Sequence, residues 1–172
     1  FEARLEGYGL DFGYTNDPTA IVAVYYYNGG YILDEKCYRK GMLNSQIADL
    51  LKNLPYGLVV ADSAEPKSID EIAGYGVAIT AVEKGAGSIN RGIDWVKEQK
   101  ISVTKNSTNL LKEYRSYLWK TNREGKTINT PEGGFDHALD AVRYRLYSLK
   151  PKEIIEEPHY DQADELFENG YY

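Results

Sequence analysis

Three aspartates in separate parts of the sequence stand where carboxylates could do chemistry, namely Asp11, Asp62 and Asp140. Carboxylate oxygens suit the hard cations Mg²⁺ and Mn²⁺, which keep several waters when bound. Two such ions about 4 Å apart can hold a phosphate, activate a water and stabilise a leaving oxygen. Because a single aspartate at a strand end is also typical of a cap or a turn, the pattern predicts phosphodiester hydrolysis only if the three carboxylates converge.

Asp11 lies in a strand predicted over residues 6–13. Alternation puts the tyrosine, leucine and phenylalanine of this strand on one face and its aspartate, between Gly9 and Gly13, on the other. Glycines let a bulky partner approach the backbone. We expect the two glycines to leave space beside Asp11 for metal, water and a substrate strand.

Asp62 follows a short apolar run over residues 58–61, which predicts a strand covered on both faces. In open α/β sheets, ligands bind at the carboxyl ends of strands where the strand order reverses. If this strand pairs beside the one over residues 6–13, Asp11 and Asp62 become neighbours.

Asp140 lies in a helix predicted over residues 135–149, whose buried stripe is formed by Leu139, Val142 and Leu146. His137 and Asp136, three and four residues before Asp140, share its face. Asp136 could instead cap the helix. The small residues Ala138 and Ala141 would let the helix lie close to the sheet, which would bring Asp140 to the other carboxylates.

The remaining pattern predicts a mixed β-sheet flanked by helices, with antiparallel first strands joined at Asn28-Gly29-Gly30 and parallel strands after them. The other strands are predicted over residues 20–27, 31–39, 77–82 (a second buried strand) and 101–103. The other helices are predicted over residues 44–54, 66–73, 88–98 and 110–119. We expect Asn44 to cap the first of these helices and Ser88 or Asn90 the third. A small hairpin is predicted over residues 119–128.

The composition predicts one globular domain and an acidic tail. A chain of 172 residues with 42% hydrophobic content can build a core. Residues 151–172 hold one lysine and seven of the 26 acidic residues, so the rest carries 19 basic and 19 acidic residues. We therefore expect a domain over residues 1–150 and a flexible tail after it. The single cysteine, Cys37, excludes a disulfide framework. The start at Phe1 suggests an excised domain.

Three motifs resemble the C-terminal nuclease domain of the large terminase subunit of tailed phages. They are Gly9-Leu10-Asp11-Phe12-Gly13, Val60-Ala61-Asp62-Ser63-Ala64-Glu65-Pro66-Lys67-Ser68-Ile69 and Asp136-His137-Ala138-Leu139-Asp140-Ala141-Val142-Arg143-Tyr144. The resemblance runs from about residue 5 to 149. It implies a ribonuclease-H-like fold and a metal-dependent endonuclease that cuts double-stranded viral DNA concatemers during genome packaging. The acidic triad of that family matches Asp11, Asp62 and Asp140, and its histidine matches His137.

The resemblance also implies cofactors and partners. Two divalent cations, Mg²⁺ or Mn²⁺, would be held with Asp11 between them and with Asp62 and Asp140 each completing one site. The implied partners are double-stranded DNA, a terminase ATPase domain, the small terminase subunit and the portal, with no membrane. The implied location is the host cell cytoplasm, at the procapsid portal. The chain contains no G-x-x-x-x-G-K-[ST] motif, so we do not expect it to bind ATP in that manner.

Weaker candidates flank these motifs. Glu65 could hold a metal through water, and Lys84 could contact the phosphate, although plain surface roles suit both. His137 could orient Asp140, approach a metal, contact phosphate or pack behind the site. DNA-facing charge could come from Arg91, Lys105, Lys112, Arg115, Lys120, Arg123 and Lys126. They are interleaved with aromatic residues of the helix over 110–119, which we expect to lie in the core.

The sequence is also compatible with three alternative functional hypotheses. Another ribonuclease-H-like nuclease, such as a junction resolvase, would use the same carboxylates. An actin-like ATPase or sugar kinase would account for Asp11-Phe12-Gly13-Tyr14-Thr15-Asn16 as a phosphate loop, but it needs a second such loop and greater length. A non-catalytic packaging or docking module would be favoured if the three carboxylates lie apart.

Overall fold

The computed structural model of the chain describes residues 2–83, 85–116, 119–121, 127–131 and 136–151, and of 119–121 and 127–131 it describes the backbone alone. The strands are β1 Arg4–Asp11, β2 Thr19–Tyr27, β3 Gly30–Arg39, β4 Val59–Ala61, β5 Ile79–Ala81, β6 Ile101–Val103, β7 Trp119–Thr121 and β8 Thr127–Pro131. The helices are α1 Asn44–Lys52, α2 Pro66–Gly74, α3 Ser88–Lys97, α4 Thr108–Ser116 and α5 His137–Ser148.

The first six strands form one mixed sheet in the order β5-β4-β1-β2-β3-β6. Strands β1, β2 and β3 are antiparallel neighbours, and β4, β5 and β6 each pair in parallel with their neighbour. Asn28 and Gly29 both adopt positive φ, 47° and 74°, which a tight turn between twisted strands requires. The predicted mixed α/β sheet is therefore confirmed. Strands β7 and β8 pair antiparallel apart from it, as the predicted hairpin requires, but β8 extends to Pro131, beyond the predicted end at residue 128.

Helices cover both faces of this sheet. Tyr8 and Leu10 of β1 pack with buried residues of α1 and α2 in one core cluster. On the other face, the core cluster joins β2 and β3 to α4 and α5, with Trp95 of α3 packed against it. The indole of Trp95 donates a hydrogen bond to the carbonyl oxygen of Leu146 at 2.9 Å. Helix α5 therefore lies between the sheet and α3.

The structure corrects the predicted burial of two elements. The second buried strand predicted over residues 77–82 is the edge strand β5, where Thr80 and Ala81 are exposed. The apolar composition of this strand therefore goes with partial burial, and the strand is not covered on both faces. In α4, the prediction of core aromatics is wrong for Tyr114, which is 72% exposed. Tyr117 lies outside the described residues.

The predicted helix caps also differ from the observed ones. Helix α1 is preceded by Leu43, whose backbone amide donates to Oε1 of Gln46 at 3.0 Å, and Asn44 is its first residue. Helix α3 is preceded by Gly87 at φ 70°, a left-handed conformation that glycine adopts without strain. None of the helices within the described ranges has the length and hydropathy of a membrane-spanning segment.

Candidate active site

Strands β1 and β4 carry two of the aspartates to adjacent strand ends. The strands pair in parallel with Leu10 opposite Ala61, so Asp11 and Asp62 each stand one residue beyond a paired position. The condition under which the sequence makes Asp11 and Asp62 neighbours, the pairing of these two strands, is thereby met. Asp11 is 8% exposed. Oδ1 of Asp62 accepts a hydrogen bond from the backbone amide of Ala64 at 3.0 Å, which orients this carboxylate at the start of the following turn.

Helix α5 brings the third aspartate to the same end of the sheet, at the carboxyl ends of β1 and β4. Ala138 and Ala141 are fully buried against the sheet, as their small size predicts. The hydroxyl of Tyr144 lies 3.4 Å from Oδ1 of Asp11 and 3.4 Å from Oδ2 of Asp140. One phenol thus spans a carboxylate of the sheet and a carboxylate of the helix.

The charges of all three aspartates reach this phenol. Burial raises the pKa of Tyr144 most, and the charges of Asp140, Asp11 and Asp62 raise it further. Burial also raises the pKa of Asp11 to about 6; the hydrogen bond from His137 opposes this shift, whereas the charges of Asp140 and Asp62 add to it. The pKa of Asp140 is raised by burial, against the pull of Arg143. The site therefore concentrates negative charge that a bound cation would relieve.

Two basic side chains hold the carboxylates. Nδ1 of His137 lies 2.9 Å from Oδ2 of Asp11, and Nε2 lies 3.5 Å from Oδ1 of Asp17. The hydrogen bond with Asp11 is the main cause that raises the pKa of His137. Nη2 of Arg143, a residue that is 9% exposed, lies 2.8 Å from Oδ1 of Asp140. Asp11, which is buried, and Asp140, which is part-buried, therefore each have a basic partner that offsets their charge.

The donor set suits a hard divalent cation, because it consists of carboxylates whose mutual repulsion would fall on binding. In the described part of the chain, no group of three or more histidine, cysteine or acidic side chains has the spacing of a formed metal site. Asp11 and Asp140 turn oxygens toward His137 and Arg143 instead. The chemistry of these residues therefore fits a cation, and in this structure Asp11 and Asp140 contact basic side chains of the same chain.

Comparison with known protein families shows to which family this chain belongs. The family model described as terminase RNase H-like domain matches residues 11–148. The chain belongs to this family. The terminase domain is also 33% identical over 145 residues to the large terminase subunit of Bacillus phage SPP1, a match that covers 79% of this chain and 34% of that protein.

Solved structures agree with this assignment. The nuclease domain of the large terminase of bacteriophage SPP1, solved with bound Mn, has 27% identity and a TM-score of 0.74, over 84% of this chain and 86% of that one. The large terminase of the thermophilic bacteriophage D6E, with 20% identity and a TM-score of 0.67, covers 84% of this chain and 40% of that one. The second likeness is one of fold alone, and the first supports the ribonuclease-H-like architecture.

The weaker sequence candidates take different places in the terminase domain. Asp136 precedes α5 without a side-chain capping bond, and its charge raises the pKa of Asp140. Glu65 is exposed and lines an open cavity of about 540 Å³ that Asp17 also lines. Lys84 lies outside the described residues.

The sequence did not reveal several partners of the carboxylates. Arg143 and Tyr144, three and four residues after Asp140, share its helical face, and that spacing was a signal. Asp17 lies in an exposed turn, and nothing in its spacing pointed to His137. Glu113, which is 3% exposed, contacts the first turn of α5, and no motif or spacing in the sequence singled it out.

Proposed function

We propose that this terminase domain is a divalent-metal-dependent endonuclease that cuts double-stranded viral DNA during genome packaging, with little sequence preference. The observation that carries the proposal is the approach of Asp11 and Asp140 to one buried tyrosine hydroxyl beside the strand end of Asp62. Membership of the terminase family and the likeness to a nuclease domain with bound Mn support it.

Asp11, Asp62 and Asp140 are the proposed ligands of two divalent cations, Mg²⁺ or Mn²⁺, with Asp11 shared between them. Such cations, when bound, lower the pKa of a coordinated water and stabilise charge on the leaving oxygen. The protein's own part is to hold the carboxylates in place. His137 holds Oδ2 of Asp11, and the Tyr144 hydroxyl stands between Asp11 and Asp140.

A cavity of the terminase domain, called here the cationic cavity, is lined by side chains that suit the phosphate backbone of DNA. The cavity, about 530 Å³, extends from Glu83 at the end of β5 to the last turn of α5. Its exposed cations are Arg91 and Lys150, whereas its third cation, Arg145, is 7% exposed and donates to Oγ of Ser148 and to the carbonyl oxygen of Glu6. None of the three forms an ion pair with a carboxylate among the described residues. Neutralisation of phosphates by such side chains supplies most non-specific affinity for DNA.

We further propose that residues 1–150 form the nuclease unit and residues 151–172 an acidic tail. Because this chain covers 34% of the SPP1 large terminase, we propose a fuller protein in which an ATPase domain accompanies the nuclease. The small terminase subunit and the portal are proposed partners, and the procapsid portal in the host cell cytoplasm is the proposed place of cutting.

Cleavage of plasmid DNA in Mn²⁺ or Mg²⁺ tests the proposal. We expect the parent to nick and linearise DNA and EDTA to stop it. Asp62→Asn and Asp140→Asn should each lose about 100-fold or more in rate, because a lost ligand removes several kcal/mol of transition-state stabilisation.

Asp70→Asn is the matched control, since Asp70 is exposed on α2, and it should cut at the parental rate. The assignment is wrong if Asp62→Asn and Asp140→Asn both cut as well as the parent. A preference for branched over linear duplex would favour a junction resolvase instead.

A further inference from the structure

The first turn of α5 is capped by a residue of another helix. Asp136, which directly precedes α5, makes no side-chain capping bond. Oε2 of Glu113 on α4 instead accepts hydrogen bonds from the backbone amides of Ala138 at 2.8 Å and Leu139 at 3.0 Å. These amides belong to the two residues between His137 and Asp140. Glu113 therefore binds the segment of α5 that carries the side chains of His137 and Asp140.

Glu113 is in turn tied to the sheet. Its Oε1 accepts a hydrogen bond from the hydroxyl of Tyr38 on β3 at 2.7 Å. With both oxygens engaged and 3% of the residue exposed, this carboxylate has three donors and little contact with water. A buried carboxylate is tolerated when it is hydrogen-bonded, and the N-terminal end of a helix favours negative charge. The geometry therefore accounts for a charged residue in the core.

The same device holds the helix that carries Glu113. Oε2 of Glu35 on β3 accepts from the backbone amide of Leu110 at 2.8 Å, and Oε1 accepts from Nδ2 of Asn109 at 2.7 Å. The amide of Glu35 donates to Oγ of Ser107, the residue before α4, at 2.8 Å. Two carboxylates thus connect three elements in order: Glu35 joins β3 to α4, and Glu113 joins α4 to α5.

We infer that Glu113 is a positioning residue of the carboxylate site. By capping α5 it fixes the placement of His137 and Asp140 relative to Asp11, and Glu35 supports it by holding α4 against β3 in the same way. This inference rests on the proposed function for its effect on cutting. Its effect on α5 does not depend on that function.

The test compares Glu113→Ala with Glu113→Gln, whose amide oxygen can still accept from the two backbone amides. Amide hydrogen exchange without metal should rise about tenfold at Ala138 and Leu139 in Glu113→Ala and return most of the way in Glu113→Gln. Exchange in α1, on the opposite face of the sheet, should not change. Calorimetry should show Mn²⁺ affinity lowered about tenfold in the alanine variant. Its kcat for DNA cleavage should fall about tenfold with KM unchanged, at a temperature well below its Tm.

Glu98→Ala is the control, because Glu98 is exposed at the end of α3, and it should match the parent in every measurement. If Glu113→Ala does not fold, Tyr38→Phe, which removes only the tether on Oε1, should show a smaller change in the same direction. Unchanged exchange at Ala138 and Leu139, or raised exchange with parental Mn²⁺ affinity and kcat, overturns the inference. A parent that neither binds Mn²⁺ nor cuts overturns the proposed function, and exchange then decides the capping of α5.

Discussion

A Cβ atom on Gly9 would lie 1.8 Å from the carbonyl oxygen of Ala141, so the backbone of α5 rests directly on β1 at this glycine. A Cβ on Gly13 would lie 2.4 Å from the carbonyl oxygens of Asp17 and Pro18. The expectation that these glycines leave space for metal, water and substrate is therefore wrong. Both positions are filled by backbone, and Gly9 instead permits the close contact that brings Asp140 toward Asp11.

Gly9→Ala should consequently displace α5 and destabilise the fold. Overpacking of a filled site costs about 1–3 kcal/mol or more, and here the obstacle is backbone rather than a flexible side chain. Chemical denaturation measures the loss. Gly74→Ala is the control, because a Cβ on Gly74 meets nothing within 4 Å and alanine favours a helix. Equal stability of Gly9→Ala and the parent would contradict the close contact.

Stability without metal should fall as pH rises. Burial raises the pKa of Asp11 to about 6, so its folded form prefers the proton, and the stability present near pH 4 is lost as pH rises through about 6. The raised pKa of His137 acts in the same direction above its ordinary value. Asp11 alone accounts for at most about 3 kcal/mol.

Denaturant titrations in EDTA between pH 4 and pH 8 check this dependence. Asp11→Asn should be flatter than the parent and more stable than it at pH 8, whereas Asp70→Asn should follow the parent. An Asp11→Asn variant with the parental pH dependence would show that Asp11 is not held in a desolvated site.

The cationic cavity should set affinity for DNA rather than the rate of the chemical step. Arg91→Gln and Lys150→Gln should each weaken binding across all sequences and reduce the salt slope of log K by about 1, the contribution of one phosphate contact. Lys52→Gln, exposed on α1 away from this cavity, is the control. Fluorescence anisotropy with a labelled duplex at several salt concentrations measures both quantities. Parental slopes in both cavity variants would remove the cavity from the DNA path.

Local periodicity was sufficient to predict much of the fold. Alternation along β1 separated Tyr8 and Leu10 from Asp11, and the rule for strand ends made Asp62 a neighbour of Asp11 on condition that their strands pair, as they do. These features depend on side chains close in sequence or on a general rule of sheet topology. The small residues Ala138 and Ala141 correctly predicted that α5 lies against the sheet.

Contacts between distant segments were not predictable in this way. Glu113 lies 25 residues before Ala138, and a carboxylate in a helix ordinarily reads as solvent-exposed. Arg143 is buried by its ion pair with Asp140 and by helix α3, which packs against α5. Composition does not reveal either contact. The exposure of β5 depends on its position at the sheet edge, and strand order is a property of the whole chain.

Anomalous scattering from crystals soaked in MnCl₂ tests the central claim, that Asp11, Asp62 and Asp140 share divalent cations. We expect density for two Mn²⁺ ions that Asp11 shares, with Asp62 completing one site and Asp140, turned away from Arg143, completing the other. Mn²⁺ bound elsewhere, or a saturating soak that leaves these three carboxylates without metal, would contradict it.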